Sequence, residues 1–139
     1  MKVEFKKLKD NAVIPTKAHL TDAGFDLTCT SLDFADDVIT YNTGIAVAIP
    51  KGYVGLLFSR SSVYKQDLIL ANCVGVIDSS FRGEIRFKYR IMQPFTKRYN
   101  AGDRIGQLII MPYPEIEFEE VDTLPDSDRG EGGFGSTGK

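Results

Sequence analysis

The sequence predicts an all-β domain, arranged as a sandwich or a barrel. Short segments of alternating apolar and polar residues recur along the 139-residue chain, glycine and proline separate them, and no long helical pattern interrupts them. Many short strands joined by such turns are typical of β-sandwiches and barrels. The length suits a single domain that is large enough to bury a hydrophobic core.

Composition and charge narrow the classes of function. Hydrophobic residues make up 42% of the chain, charged residues make up 26%, and the formal net charge is −2. This weak charge gives no basic surface for duplex nucleic acid, so we expect no stable nucleic-acid binding. No apolar run reaches membrane-spanning length, so we expect no membrane association. The start, MKVEFKKLKD, carries charges where a signal peptide needs an apolar stretch. We therefore expect a cytoplasmic protein, or one in an intracellular host compartment if its source is viral.

The cysteine and histidine content argues against a zinc centre or a disulfide framework. Cys29 and Cys73 both lie among strand-forming residues, and we expect both to be reduced, buried thiols. One histidine and two distant cysteines do not make a zinc site.

The first half of the chain predicts several strands and one helical turn. Strands are predicted at residues 2–8, 25–30, 38–49 and 53–58. The third of these regions predicts two short strands about Asn42-Thr-Gly44. The acidic residues Asp33, Asp36 and Asp37 are expected in a solvated loop. Residues 60–65 predict one helical turn with a serine as its N-cap.

A segment near the middle of the chain, residues 72–85, carries an unusual set of polar groups. The apolar run from Val74 to Ile77 ends at Asp78, two serines and Phe81 follow, and residues 84–91 then alternate strictly. The pattern predicts a β-hairpin. Asn72, the carboxylate of Asp78, the ring of Phe81 and free backbone amides would suit a planar, base-like ligand and a reacting water. The alternative is a surface hairpin in which Asp78 caps a turn.

Five further residues favour a phosphate site. Arg60, Ser61 and Ser62 place one guanidinium and two hydroxyls at a possible helix start, which is a small phosphate-binding set. Asp26 follows a glycine in a strand, and its carboxylate would suit Mg²⁺ if phosphates lie nearby. Gln107 lies in the apolar strand predicted at residues 104–111, where it needs either a core partner or a ligand phosphate.

The composition changes beyond Leu124. Residues 125–139 are polar and glycine-rich, and we expect a flexible arm beyond a β domain of residues 1–124. Glycines between Arg129 and Gly138 would let backbone amides wrap an anion. Phe134 is an isolated ring that we expect to stack on a ligand. The alternative is a flexible, linker-like tail.

Five segments, in this order, resemble the trimeric dUTP diphosphatases (dUTPases). They are Ala23–Leu27, Arg60–Ser62, Asn72–Glu84, Gly102–Leu108 and Arg129–Gly138. The resemblance covers the chain from about residue 20 to the end. It implies a distorted jelly-roll-like β fold, a homotrimer with active sites at the subunit interfaces, and a tail that closes over a neighbouring site. It also implies hydrolysis of dUTP to dUMP and pyrophosphate with Mg²⁺, which limits uracil in DNA and supplies dUMP for dTTP synthesis.

The resemblance assigns a role to each candidate residue. Asp78 would activate the water that attacks the α-phosphorus, and Asp26 would hold magnesium through water. Uracil and deoxyribose would be contacted by Asn72, Gly75, Val76, Ile77, Asp78 and Phe81, with Arg86 flanking the substrate. Phosphates would be contacted by Arg60, Ser61, Ser62 and Gln107, and in the tail by Arg129, Gly135, Ser136 and Thr137, while Phe134 would stack on uracil.

The sequence departs from the family pattern in two places, and Arg86 lies at a substrate-flanking position where the family itself varies. Phe81 stands where the family usually has tyrosine, and the stretch from Arg60 to Asn72 is one residue shorter, with Asp67 in place of a glycine. Two other functions fit the same scaffold: a dCTP deaminase, which would need a glutamate beside the base, and a nucleotide-binding or partner-binding module with little turnover.

Overall fold

The computed structural model describes residues 1–93 and 97–135 and has an all-β, jelly-roll-like architecture of two antiparallel sheets. The strands are β1 (Glu4–Lys7), β2 (Phe25–Thr28), β3 (Ser31–Ala35), β4 (Val38–Ala48), β5 (Tyr53–Phe58), β6 (Leu68–Leu70), β7 (Gly75–Ile77), β8 (Glu84–Ile91) and β9 (Arg104–Pro112). A short 3-10 helix covers Ser61–Lys65. The predicted fold class is confirmed.

The two sheets have different roles in the fold. One runs in the order β1-β4-β8-β6, with β3 also paired to β4, and the other runs β2-β9-β5-β7. Strand β4 is long enough for β3 to pair with its first half and β1 with its second half. The second sheet carries Asp26 on β2 and Gln107 on β9, so it positions the candidate site.

Side chains from both sheets meet in one buried core. Ile85, Phe87 and Tyr89 alternate inward along β8, which explains why the period-2 pattern of this strand is so regular. Tyr89 packs edge-on against Tyr41 and Tyr99, with ring centroids 5.7 and 6.0 Å away. The hydroxyls of Tyr41 and Tyr89 donate to the backbone oxygens of Tyr99 and Ile105. This aromatic cluster anchors the segment that leads into β9.

The predicted break at Asn42-Thr-Gly44 is a bulge within one continuous strand. The register between β4 and β8 shifts between Asn42 and Ala46. Gly44 adopts a φ of +66°, which favours glycine. Its amide donates to Glu84 Oε1 at 2.8 Å, and Thr43 Oγ1 donates to the Ile85 carbonyl at 2.7 Å. The prediction of two strands was therefore wrong, because these bonds hold the bulge in the sheet.

The predicted hairpin is also wrong. Strand β7 pairs with β5 in one sheet, while β8 pairs with β4 and β6 in the other. Residues 78–83 therefore cross from one sheet to the other. Alternation and a Ser-Ser turn are compatible with both arrangements, since long-range pairing decides which sheet each strand joins.

Two local predictions need correction. Asp33 lies on β3, where its carboxylate accepts a hydrogen bond from Asn42 Nδ2 at 2.7 Å; it is exposed as expected but is not in a loop. The N-cap of the 3-10 helix is Arg60 and not a serine, and no side chain caps it, because the guanidinium has only donors and the free amides need an acceptor.

The two cysteines differ in their environments. Cys29 is buried as expected, and burial raises the pKa of its thiol to about 11. Cys73 is exposed and has a φ of +59°, so the prediction of a buried thiol was wrong there. It lies on the connection between β6 and β7, outside the core.

Beyond β9, residues 113–135 contain no strand or helix and are mostly exposed. Phe118 and Phe134 both present their rings to solvent. The described part of the chain contains no helix with the length and apolar character needed to cross a membrane.

Candidate active site

Asp26 lies at the centre of a cluster of charged side chains. Arg104 Nη1 donates to Asp26 Oδ2 at 3.0 Å, and Arg60 Nε lies 3.4 Å from Asp26 Oδ1. Asp26 is on β2, Arg104 begins β9, and Arg60 precedes the 3-10 helix. Both carboxylate oxygens therefore face guanidinium groups, and we name Asp26, Arg60 and Arg104 the Asp26 cluster.

Gln107 lies next to this cluster, on the strand paired with β2. It is the register partner of Asp26, and its Nε2 donates to the Ser59 carbonyl at 3.3 Å. Gly24 makes this position possible, since a Cβ at residue 24 would lie 2.1 Å from Gln107 Oε1. The sequence prediction that Gln107 needs a partner is met by Ser59, and its Oε1 remains next to Gly24.

Arg60 and Ser62 line a cleft of about 350 Å³, which we name the arginine cleft. Lys65, Gln66, Tyr99, Gly102, Asp103 and Arg104 complete its lining. The cleft combines three basic side chains with one carboxylate, which favours an anionic ligand. Ser61 is exposed beside it on the 3-10 helix.

Asn72, Gly75 and Arg86 share a second cleft of about 280 Å³, which we name the Asn72 cleft. Arg86 is fixed at its rim by Glu84, whose Oε2 accepts from Arg86 Nε at 2.9 Å. Gly75 is buried, and a Cβ there would lie 3.0 Å from the Leu57 side chain. The floor is apolar and the rim polar, a combination that suits a flat ligand with polar edges. A larger cleft of about 820 Å³ runs along β1 and is lined by none of the candidate residues.

Asp78 lies beyond the last residue of β7, at the start of the crossing between the sheets. Its backbone carbonyl accepts from the Phe81 amide at 3.0 Å and closes a turn, while the residue is exposed. The carbonyl, not the carboxylate, thus makes this turn bond. Val76 is exposed and Ile77 half-buried on the strand before it.

The ring of Phe81 is held over Gly83. A Cβ at residue 83 would lie 2.6 Å from Phe81 Cζ, so a larger residue there would displace the ring. The ring remains 42% exposed. The tip of the ring therefore lies against Gly83, and part of Phe81 remains open to solvent.

The tail residues do not line either cleft in the described part of the chain. Arg129 Nε donates to the Gly132 carbonyl at 2.7 Å, and Phe134 is fully exposed with a φ of +51°. Gly135 follows with a φ of +86°. Ser136 and Thr137 lie outside the described residues.

A magnesium ion at the Asp26 cluster would have one protein carboxylate, that of Asp26, as its partner. Within residues 1–93 and 97–135, no three acidic, histidine or cysteine side chains converge on one point. Mg²⁺ is commonly held by one or two carboxylates, with waters and substrate phosphates completing its octahedron. Asp26, next to the arginine cleft, offers one such carboxylate.

Sequence reasoning missed three residues. Arg104 reaches Asp26 because a bulge between Leu27 and Thr28 shifts the register of β2 against β9, which no local pattern reveals. Glu84 holds both Arg86 and the bulge of β4. Tyr99 lines the arginine cleft from an irregular segment, and its spacing carries no signal.

A model of the dUTPase family matches residues 10–138. The chain belongs to the dUTPase family. It is 40% identical over 147 residues to the deoxyuridine 5'-triphosphate nucleotidohydrolase of Thermobifida fusca, covering 99% of this chain and 79% of that protein. It is 43% identical over 126 residues to the corresponding protein of Bifidobacterium longum, covering 87% of this chain and 79% of that protein.

Solved dUTPase structures have the same fold. The dUTPase of Staphylococcus bacteriophage 80alpha, in a mutant form with dUpNHpp, superposes with a TM-score of 0.89 at 30% identity and covers 99% of both chains. A mutant dUTPase from phage phi11 of S. aureus, described with a structural Mg(II) ion, has a TM-score of 0.75 at 27% identity, covering 89% of this chain and 99% of that one.

Proposed function

We propose that this chain hydrolyses dUTP to dUMP and pyrophosphate. The observation that carries the proposal is the Asp26 cluster beside Gln107 and the arginine cleft, in a chain of the dUTPase family. A carboxylate held between two guanidinium groups, beside hydroxyl and amide donors, is a site for a triphosphate and its cation.

The Asn72 cleft and Phe81 would select the nucleoside. Asn72 and the backbone of Val76 to Asp78 would bond the uracil edge, and the site would exclude the methyl group of thymine. The supported ring of Phe81 would lie against deoxyribose, where a ribose 2'-hydroxyl would clash with it. Arg86, held by Glu84, would flank the bound nucleotide.

The arginine cleft would hold the phosphates. Arg60, Ser61, Ser62 and Gln107 would donate to phosphate oxygens, and Arg60 would exchange part of its contact with Asp26 for the substrate. Asp26 would hold Mg²⁺ through water. The bound ion would supply positive charge to the triphosphate oxygens.

Asp78 would act as the general base. Its exposed carboxylate would accept a proton from a water whose oxygen forms a bond to the α-phosphorus. The bond from the α-phosphorus to the oxygen bridging to the β-phosphorus would break, and pyrophosphate would leave with that oxygen. This reaction would take place in the cytoplasm, limit uracil in DNA and supply dUMP for dTTP synthesis.

A homotrimer would bring the two carboxylates to one substrate. Asp26 pairs with Gln107, which pairs with Phe58, whereas Asp78 follows the Ile77 that pairs with Gly55. Three strand spacings and four residue rises put roughly 20 Å between the Cα atoms of Asp26 and Asp78. This span is long for one magnesium-bound α-phosphorus, and it favours a site assembled from two subunits.

The outer face of the second sheet supplies a surface for such an assembly. Val76 and Met111 are exposed there, and Val54, Leu56 and Ile109 are half-buried beside them. A contiguous apolar sheet face is typical of a protein–protein interface. We assign this face to the homotrimer contact.

The arm of residues 125–139 would close over a neighbouring site. Arg129, Gly135, Ser136 and Thr137 would bind the γ-phosphate, and Phe134 would stack on uracil. The exposed ring of Phe134 supports this assignment, because burying it on a ligand removes apolar surface from water.

Isotope transfer tests the reaction. With dUTP and Mg²⁺ in ¹⁸O-labelled water, mass spectrometry is expected to find one ¹⁸O in dUMP and none in pyrophosphate, because water attacks the α-phosphorus. Label in pyrophosphate would show that water attacks the β-phosphorus, and this would contradict the role assigned to Asp78. Release of ammonia from dCTP, or tight binding of dUTP without any product, would overturn the proposed activity.

A further inference from the structure

The two oxygens of the Asp26 carboxylate are held with different strength. Arg104 Nη1 donates to Oδ2 at 3.0 Å, across the pair formed by β2 and β9. Arg60 Nε lies 3.4 Å from Oδ1, which is longer than an ordinary N–H···O hydrogen bond. The carboxylate is therefore fixed by Arg104, and its contact with Arg60 is the weaker of the two.

Arg60 can change its partner without moving its backbone. Its carbonyl accepts from the Val63 amide at 2.9 Å at the start of the 3-10 helix, so the main chain is held. Its side chain is 27% exposed and also lines the arginine cleft. A solvent-accessible ion pair contributes little to stability, so the guanidinium can turn from Asp26 to an anion in the cleft at small cost.

Asp26 opposes the binding of such an anion in two ways. It occupies Arg60, and its own negative charge repels the anion. A phosphate oxygen in contact with the Arg60 guanidinium would lie within roughly 8 Å of the carboxylate, given the usual length of a hydrogen bond. That distance is shorter than the Debye length of about 10 Å at 0.1 M salt, so the repulsion is only partly screened.

A divalent cation carried by the phosphates reverses both effects. Within residues 1–93 and 97–135, no second or third acidic side chain joins Asp26 to form a metal cage, and two guanidinium groups flank its carboxylate. The ion therefore needs phosphate oxygens and waters as its other ligands. When they bring it to the site, the charge of Asp26 becomes attractive, and Arg60 is released to the phosphates.

We propose that the ion pair between Asp26 and Arg60 makes nucleotide binding depend on a divalent cation, so that the site accepts the cation-bound triphosphate and rejects the cation-free one. Arg104 is a positioning residue that holds Asp26 in place in both states. The inference rests on the proposed function, because it takes Arg60 as a phosphate contact and Asp26 as the carboxylate beside the ion.

Asp26→Asn is the direct test, because it removes the charge and keeps an oxygen that can accept from Arg104. Binding of dUpNHpp to the full chain is measured by calorimetry, once in EDTA and once in Mg²⁺. In EDTA the variant is expected to bind about threefold or more tightly than wild type, because a repulsion between charges at this distance is removed. In Mg²⁺ it is expected to bind more weakly than wild type. A carboxylate that only supported the fold would, when replaced, weaken binding in both conditions.

Asp103→Asn is the matched control. Asp103 lines the same cleft but is not part of the Asp26 cluster, and its Oδ2 accepts from the Asn100 amide at 2.7 Å, a bond that an asparagine oxygen can keep. Removing this charge is expected to tighten dUpNHpp binding in EDTA without weakening it in Mg²⁺. Weaker binding in Mg²⁺ would then be specific to Asp26.

A double substitution tests whether Arg60 takes part. In an Arg60→Gln background no guanidinium is available for release, so Asp26→Asn is expected to gain less affinity in EDTA than it does in the wild-type background. A gain of equal size in the two backgrounds would overturn the exchange of Arg60 between Asp26 and phosphate.

The outcomes separate this inference from the proposed activity. Asp26→Asn that binds dUpNHpp no more tightly than wild type in EDTA would overturn the inference. Wild type that hydrolyses dUTP but binds dUpNHpp equally well in EDTA and in Mg²⁺ would overturn it as well, with the activity intact. The expected shifts in affinity without any turnover of dUTP would overturn the activity alone.

Discussion

Arg104 donates to the carboxylate of Asp26 at 3.0 Å, across the pair formed by β2 and β9. Arg60 approaches the other carboxylate oxygen from the 3-10 helix. All three side chains are partly exposed, and ion pairs of this kind contribute little to stability. The arrangement is therefore better explained by binding, since two guanidinium groups and one carboxylate would suit the triphosphate and cation of the proposed function.

Asp26→Asn is expected to weaken magnesium use more than it weakens the fold. The free energy of unfolding should change by less than about 1 kcal/mol, because the pairs are solvent-accessible. The Mg²⁺ concentration for half-maximal dUTP hydrolysis should rise at least about tenfold, because the carboxylate ligand is lost. Asp37→Asn, which breaks the exposed pair between Asp37 and Arg90, is the control and should leave the Mg²⁺ dependence unchanged. An unchanged Mg²⁺ dependence in Asp26→Asn would contradict the metal assignment.

Gly24→Ala is expected to displace Gln107 and so weaken substrate binding. The new Cβ would meet Gln107 Oε1, which is the end of a flexible side chain, so the fold should tolerate the change. We expect KM for dUTP to rise severalfold while thermal stability changes little. In a Gln107→Ala background the contacts with the Gln107 amide are absent and only a 3.3 Å approach to the Cβ of residue 107 remains, so adding Gly24→Ala should have little further effect. Additive effects of the two substitutions would show that Gly24 acts elsewhere.

Stability is expected to fall in alkali. Burial raises the pKa of the Tyr41 hydroxyl from 10.0 to about 12 and that of the Cys29 thiol from 9.0 to about 11. Above the lower values the unfolded chain releases these protons and the folded chain keeps them, so stability is lost as pH rises from about 9 to 12. Each group should contribute up to about 1.4 kcal/mol per pH unit within its window.

Urea denaturation at a series of pH values checks this loss. Tyr41→Phe should lessen the fall between pH 10 and 12, the window set by the raised pKa of Tyr41. Tyr64→Phe, at an exposed position, should leave it unchanged. Identical slopes in wild type and Tyr41→Phe would exclude Tyr41 as a source of the pH dependence.

Subunit mixing tests whether the site is shared between chains. Asp78→Asn is expected to bind dUpNHpp but to have little activity alone, because loss of a general base costs about 10² to 10⁴ in rate. Asp26→Asn is expected to have little activity alone at Mg²⁺ concentrations well below those that saturate the wild type, because its Mg²⁺ requirement is raised. If each site takes Asp78 from one subunit and Asp26 from its neighbour, an equal, randomly assembled mixture should regain about one quarter of wild-type activity. No recovery in co-assembled trimers would place both carboxylates of a site in the same chain.

The sequence predicts the strands better than it predicts their neighbours. Strict alternation along β8 follows directly from one buried and one solvated face, and the predicted bounds agree with Glu84–Ile91. Which sheet β7 joins depends on pairing with β5, more than fifteen residues earlier, and the hairpin prediction failed for that reason. The sequence predicts a role for Asp26 only if a phosphate site such as that of Arg60 lies nearby, and it does not predict that the two residues are in contact. The contact of Arg104 with Asp26 depends on a bulge. A motif can be recognised within a short segment, whereas the register of a strand depends on residues far away in the sequence.

Pyrophosphate release with Mg²⁺, measured separately for dUTP, dTTP, dCTP and UTP, tests the central claim most directly. Turnover of dUTP alone is the predicted result, because in the proposed site the Asn72 cleft would exclude the thymine methyl and the ring of Phe81 would exclude a ribose hydroxyl. Comparable turnover of UTP would contradict the role of Phe81. No turnover of any nucleotide, with dUTP still bound, would contradict the claim that this chain is a dUTP hydrolase.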